Sequence, residues 1–230
     1  MTDSVSSAER AEDLVTRTVD ALIKKIMAEG RGPDHRLPSQ GELSEEFGVS
    51  RSVVREAMRV LQARGFVDVS QGSRPRVIPA SPDVVIESLT TFVRRSEFSL
   101  LQLWEMRTPL EAEIAMLAAR RITPEKLAEL KASVIALREA ADLEAQIDAD
   151  IWFHRVLAEA SDNPLFGIIL DVLADQLRAS RRQTLVRSGV SMALGYHQRI
   201  LNAVEARDTA AAHREMISHM EQTRRDLENP

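Results

Sequence analysis

Asp150 and His154 lie four residues apart in an apolar helical pattern, so both fall on the face that carries Ile147, Leu157 and Ala158. A carboxylate and an imidazole are thereby pointed into a core. Further on, Ala212, Met216, His219, Met220, Thr223 and Leu227 form one stripe, which turns His219 inward and puts His213 towards its edge. His197 opens YHQRILNAVEA, in which Ile200, Leu201 and Val204 have core-facing spacing. One carboxylate and three imidazoles are costly to bury unpaired, whereas a divalent cation satisfies all four at once. An oxygen with three nitrogens favours a borderline first-row metal such as Zn, Ni or Mn over Ca or Mg. Taken singly, each histidine reads more simply as a hydrogen-bonded core or surface residue.

Arg107 is a second candidate, because it shares the apolar stripe of its helix with Leu100, Leu103, Ile114 and Ala118, which aims its guanidinium into the protein. Its planar fork suits a carboxylate, and a metal with water-filled positions offers the same ligand a second anchor. The expectation is a small organic acid held between metal and Arg107. The alternative is an internal ion pair with Glu111, four residues on.

Positioning these side chains requires helices, and the pattern supplies seven: about 84–94, 100–121, 124–141, 144–161, 164–187, 189–206 and 209–227, separated by Thr-Pro, Asn-Pro and Arg-Asp punctuation. They imply an all-α antiparallel bundle, with Pro109 bending the second helix by removing a backbone donor. Two prolines in Ile78-Pro79-Ala80-Ser81-Pro82-Asp83 mark a linker at 79–83, between an N-terminal domain at 1–78 and the bundle at 84–230.

The N-terminal domain has a different grammar. Pro38 stops the chain, Ser39 and Glu42 have the spacing of a capping box, and the short helix they start carries Leu43 and Phe47 inward until Gly48. Ser50 caps a second helix that runs through Arg64 to Gly65. Val53, Val54, Ala57, Val60 and Leu61 share one side of it, and Arg51, Ser52, Arg55, Arg59 and Gln62 the other. Phe66–Val69 reads as a strand, Gln71–Ser73 as a turn and Arg74–Ile78 as a returning strand, which together make a wing. A tight helical hairpin with an arginine-lined second helix is the geometry that enters a DNA major groove.

At 230 residues the chain suits one large or two modest domains, and 44% apolar residues are enough to build cores for the mostly α architecture that the helical patterns imply. Cysteine is absent, which excludes a disulfide framework, a thiolate metal site and a Cys nucleophile. The formal charge of −5 arises from acids after the wing, while arginines at 51, 55, 59, 64, 74 and 76 make the head locally basic. No apolar run approaches the roughly 20 residues of a membrane span, and the polar start MTDSVSSAERAEDL is unlike a signal peptide, so a cytoplasmic protein without a membrane partner is expected.

These residues carry a resemblance. LPSQGELSEEFGVSRSVVREAMRVLQARGFV, within a stretch from Asp13 to Val77, resembles the winged helix-turn-helix of the GntR family of bacterial transcription regulators. The resemblance implies that Ser50, Arg51, Ser52 and Arg55 contact bases and phosphates, and that Gly72 sits at a wing tip entering the minor groove; Ser39 and Arg59 complete the candidate DNA-binding set. Gly41 departs from the family, which usually has a basic residue there.

The remainder, Val84 to Leu227, resembles the all-helical FCD ligand domain of the FadR subfamily. D-x-x-x-H at Asp150 and His154, H-x-x-I-x-x-A-[IV] at His197 and a last-helix His219 match its metal-binding subset. The likeness implies these four as ligands of one divalent metal and Arg107 as an arginine facing the effector cavity, with His35 and His213 left on the surface. The expected function is a homodimeric repressor, or an activator, that binds a palindromic operator in double-stranded DNA under control of a small organic acid. Two alternatives stand beside it: a regulator that senses metal or carries it structurally, and a metal-dependent hydrolase.

Overall fold

The computed structural model describes residues 3–28, 34–70 and 73–228, and the chain folds as two compact units, Met1–Val85 and Ile86–Pro230. The first unit contains α1 (Asp3–Ala28), α2 (Gln40–Phe47), α3 (Arg51–Ala63), β1 (Val67–Asp68) and β2 (Arg76–Val77). Both expected caps form. Ser39 Oγ accepts from the Glu42 amide at 3.3 Å while Ser39 N–H donates to Glu42 Oε2 at 2.6 Å, and Ser50 Oγ accepts from the Val53 amide at 3.4 Å. Gly48 closes α2 at φ 63°, a left-handed conformation that glycine adopts without a Cβ clash.

Burial follows the sequence pattern on α3. Val54, Ala57, Met58 and Leu61 are buried against Val19 and Leu22 of α1 and Leu43 of α2, while Arg51, Ser52, Arg55, Arg59 and Gln62 are exposed. The strands are shorter than the sequence pattern suggests, with Val67 opposite Val77 and Asp68 opposite Arg76. Pairing continues beyond them on the other edge, because Leu37 N–H donates to Pro75 O at 2.8 Å and Val77 N–H to His35 O at 2.8 Å. Backbone satisfaction thus fastens the segment before α2 to the returning strand. Gln71 and Gly72, and with them the expected wing tip, lie outside the described residues.

Helices α4 (Asp83–Arg95), α5 (Leu100–Arg121), α6 (Pro124–Glu139), α7 (Leu143–Ala160), α8 (Pro164–Val172), α9 (Ala174–Ser188), α10 (Val190–Glu205) and α11 (Thr209–Glu228) follow. Where the pattern predicts one helix over 164–187, the chain turns at Leu173, whose φ and ψ are −96° and 8°. The Leu173 amide still reaches Ile169 O at 3.2 Å and the Leu177 amide reaches Leu173 O at 2.9 Å. Hydrogen bonding continues through the bend, so no glycine or proline is needed there. Helix α5 packs along α11, and α7 packs against α5, α6 and α9 around a core that includes Ile114, Leu130, Phe153, Leu157, Ile200 and Met216. Among the described residues no helix is long and apolar enough to cross a membrane.

Candidate functional site

Three imidazoles meet inside the helical unit, carried by α7, α10 and α11. His154, His197 and His219 are 3%, 0% and 8% exposed, and each offers a nitrogen within 4.8 Å of the other two. Phe153 sets one wall: its ring stacks on His197 at 3.9 Å between centroids and 7° between planes. Burying that phenyl ring contributes about 1.5–3 kcal/mol, so the same side chain that stabilises α7 also orients an imidazole.

Asp150 stands beside the trio. Its Oδ1 lies 3.2 Å from His197 Nε2, its Oδ2 lies 3.8 Å from His154 Nε2, and Oδ2 also accepts from Arg181 Nε. Residue type alone does not mark Arg181 as a site residue, yet Leu177, Arg181 and Leu185 recur every four residues on α9 and are all buried. That stripe is the signal that places it.

Glu111 is the other anion. Its Oε2 contacts His154 Nδ1, and its Oε1 accepts from Arg107 Nε at 2.7 Å. Arg107 therefore realises the ion-pair alternative while its side chain also lines the cavity. A carboxylate against the far nitrogen of a ligating histidine is the usual way a tautomer and ring angle are held.

Among the described residues, His197 Nδ1, His219 Nδ1 and Arg181 Nη1 are buried without a hydrogen-bond partner. Imidazoles that each bring a nitrogen within 4.8 Å of the other two fit a cation, because a buried nitrogen without a partner carries a desolvation cost of about 1–3 kcal/mol. Burial pushes the His154 imidazolium below its ordinary 6.5, and Glu111 and Asp150 only partly oppose this. His219 is pushed well below that value by burial, then by His197 and His154. Burial by itself would raise Asp150, but Arg181, His197 and His154 outweigh it and hold the carboxyl well below its usual range. For Glu111 burial acts the same way and Arg107 dominates the opposing charges. At neutral pH His154 and His219 are thus held neutral and Asp150 and Glu111 ionised, the protonation states that suit metal binding.

Because His154 and His219 titrate lower when folded, the unfolded chain binds more protons below about 6.5. Their stabilising contribution is complete above that pH and is lost as pH falls through it. Metal-free protein should lose up to about 1.4 kcal/mol per pH unit for each of the two groups. Urea denaturation at a series of pH values between 7.5 and 5 checks the slope, and a flat profile would contradict buried neutral imidazoles.

The cavity bounded by Arg107, Asp150, His154, Arg181, Tyr196 and His219 leaves about 30 Å³ reachable by a water centre. That is room for about two waters.

On the head, Arg51 and Arg55 pair with no carboxylate among the described residues, whereas Arg59 Nη1 donates to Glu56 Oε2 at 3.1 Å. Ser50 and Ser52 share a hydroxyl contact of 2.8 Å at the start of α3, where helix amides favour anions. Arg74 Nη2 donates to Glu42 Oε1 at 3.0 Å. A side chain at Gly41 would start 3.8 Å from Arg51 Nη2, so the missing basic residue leaves that space to Arg51.

Comparison with known proteins agrees with both halves. The FCD domain matches residues 102–222, and the family described as bacterial regulatory proteins, gntR family, matches residues 14–77. The transcriptional repressor NanR of Cronobacter sakazakii is 31% identical over 222 residues, covering 92% of this chain and 83% of that protein. The transcriptional regulator LutR of Bacillus subtilis is 33% identical over 198 residues, covering 82% and 89%. Among solved structures, Streptococcus agalactiae GntR superposes with a TM-score of 0.59 at 29% identity, covering 92% of this chain and 99% of that one. These relatives are transcription regulators, which sets aside the hydrolase alternative. A helix-turn-helix head that matches the gntR family, followed by an FCD helical unit, places this chain in the GntR family of bacterial DNA-binding transcription regulators.

Proposed function

We propose that this regulator is a cytoplasmic homodimeric repressor whose helical domain, residues 84–230, holds one divalent ion on His154, His197, His219 and Asp150 and binds a small carboxylate beside it. The observation that carries the reading is the convergence of three buried imidazoles, each with a nitrogen within 4.8 Å of the other two. A borderline ion such as Zn, Ni or Mn suits that donor set and, when bound, supplies positions that accept a carboxylate oxygen. Asp150 and Arg181 hold charge next to those positions, and Glu111 holds His154 in register.

The head, residues 1–78, joins the domain through 79–83 and reads one half of a palindromic operator. One short recognition helix reaches too few bases for useful specificity, so two related heads are needed. Ser39, Ser50, Arg51, Ser52, Arg55, Arg59 and Gly72 form the proposed DNA-binding set. Arg51→Ala or Arg55→Ala should cost roughly 1–3 kcal/mol for each bidentate hydrogen-bonded base that the arginine no longer reads. Mobility-shift titration at fixed salt measures this, and unchanged affinity removes that residue from the set.

Acid and operator binding should be coupled by about 1–3 kcal/mol in both directions. Operator affinity measured with metal alone, acid alone and both together tests the reading, since an acid-controlled repressor needs its acid. The limited cavity space favours a second reading, in which metal alone switches the protein. A full response to metal without acid would select it.

A further inference from the structure

Helix α4 is tied to the bend at Leu173 by two polar contacts: Thr90 Oγ1 donates to Val172 O at 3.4 Å, and Arg94 Nε to Asp175 Oδ2 at 2.6 Å. Beside these ties lies a second cleft, of about 300 Å³. Its walls are Val93 of α4, Phe98 just before α5, Leu100, Leu103 and Met106 of α5, and Leu173. It shares no lining residue with the cavity at the imidazoles, so its chemistry is independent of a metal.

No side chain that lines this cleft is an acid, a histidine or a base. Arg94 and Asp175, the chain neighbours of Val93 and Gln176, are paired with each other. A charged guest would give up its hydration here without gaining a counter-charge, which excludes carboxylates and amines.

Hydrogen bonding is as restrictive. Ser99 Oγ accepts from the Gln102 amide at 3.1 Å and Gln102 Oε1 accepts from the Ser99 amide at 3.0 Å, so the capping box of α5 occupies both oxygens. Gln176 Oε1 also belongs to the lining, and it is buried with no partner. An apolar wall with one unmet acceptor is matched by an apolar guest with one N–H or O–H donor.

The walls also favour rings. Phe98 is set by an edge contact to Phe92, at 6.3 Å between centroids and 63° between planes. Its ring and the thioether of Met106, 51% and 39% exposed, are both good neighbours for an aromatic guest. An apolar cavity of roughly 150 Å³ takes benzene, so one of about 300 Å³ has room for two fused rings.

We propose that the cleft between α4, α5 and α9 is a second ligand site, which takes a neutral aromatic molecule of one or two rings whose single N–H or O–H donates to Gln176 Oε1. A guest there touches α4, α5 and α9 together and adds to the two polar ties that hold α4.

The test titrates full-length protein calorimetrically with indole, 1-methylindole and indole-3-carboxylate. Indole should bind, 1-methylindole should bind roughly 5- to 10-fold more weakly because it has lost one neutral hydrogen bond, and indole-3-carboxylate should fail to displace indole. Gln176→Leu removes the acceptor and keeps the bulk, so indole and 1-methylindole should bind it alike. Met106→Trp fills the cleft and should abolish binding of both. In wild-type protein with isotope-labelled methionine methyls, indole should move the Met106 resonance by its ring current and leave that of Met192, which lines the polar cavity, in place. That reading needs no variant to fold. Indole affinity should also be the same in Zn²⁺ and in EDTA.

No indole binding, equal wild-type affinity for 1-methylindole, a preference retained in Gln176→Leu, or displacement by indole-3-carboxylate overturns the inference. A shift of Met192 in place of Met106, or an affinity that depends on the ion, puts the guest in the polar cavity and overturns it as well. A changed oligomeric state of Met106→Trp in the analytical ultracentrifuge assigns the cleft to an interface between copies, with the same result. None of these outcomes bears on the metal centre, which is tested separately.

Discussion

Glu111→Ala should lower the stability of the helical unit by about 3–5 kcal/mol, because it leaves the Arg107 guanidinium buried without its counter-charge. Arg107 and Glu111 are 2% and 1% exposed, so water cannot replace the missing partner. Arg181 aggravates the loss, since its charge already opposes that of Arg107. Urea denaturation followed by tryptophan fluorescence measures the effect on the correct unit, as both tryptophans, Trp104 and Trp152, lie in the helical part. Exposed Glu113, two positions away on α5, serves as a control whose substitution should change stability by less than about 0.5 kcal/mol. Replacing the pair together with apolar residues, Arg107→Met with Glu111→Leu, should be far milder than Glu111→Ala alone. A single-mutant loss under about 1 kcal/mol would falsify the buried-pair account.

Removing the metal should have the second-largest effect. Ligand held at 100 to 1,000 times its dissociation constant stabilises a folded protein by about 2.7–4.1 kcal/mol, and a chelator withdraws all of it. The metal-free site then retains the unpartnered Nδ1 atoms of His197 and His219. The same fluorescence-detected denaturation in buffered Zn²⁺ and in excess EDTA gives the difference. His197→Ala should give nearly coincident curves in the two buffers, because it deletes the proposed ligand packed on Phe153. Equal wild-type stability with and without the ion would remove the metal from the proposed function.

Local signals are readable in the sequence because the forces behind them are local. Ser39, Ser50 and Gly48 satisfy or close helix ends within three or four residues, and the spacing of Val54, Ala57 and Leu61 on α3 needs no partner to be recognised. Inward direction of Asp150, His154, His197 and His219 is readable for the same reason, and the structure buries all four. What the residues do to one another is not. Arg107 satisfies the stripe argument equally well as a ligand fork or as the partner of Glu111, and only its neighbours' positions show the pair. Arg181 faces Asp150 from another helix, and arginine at a core position is rare enough that residue type argues against the stripe it forms with Leu177 and Leu185. The turn at Leu173 is set by packing rather than by a breaking residue. The short β1 and β2 reflect a wing whose backbone is partly paired with residues 34–37 instead.

The imidazoles of the site come from α7 and from the consecutive helices α10 and α11, two helices further along the chain, and no two of them share a local turn. The full constellation exists only after α7 has docked on the α10–α11 pair, so the proposed ion would gain its complete set of ligands late in assembly. Interactions absent from the folding transition state slow unfolding without hastening folding. On the proposed function the site would act on the lifetime of the native state: a loaded domain would open rarely, and an empty one would be the form that proteolysis reaches first.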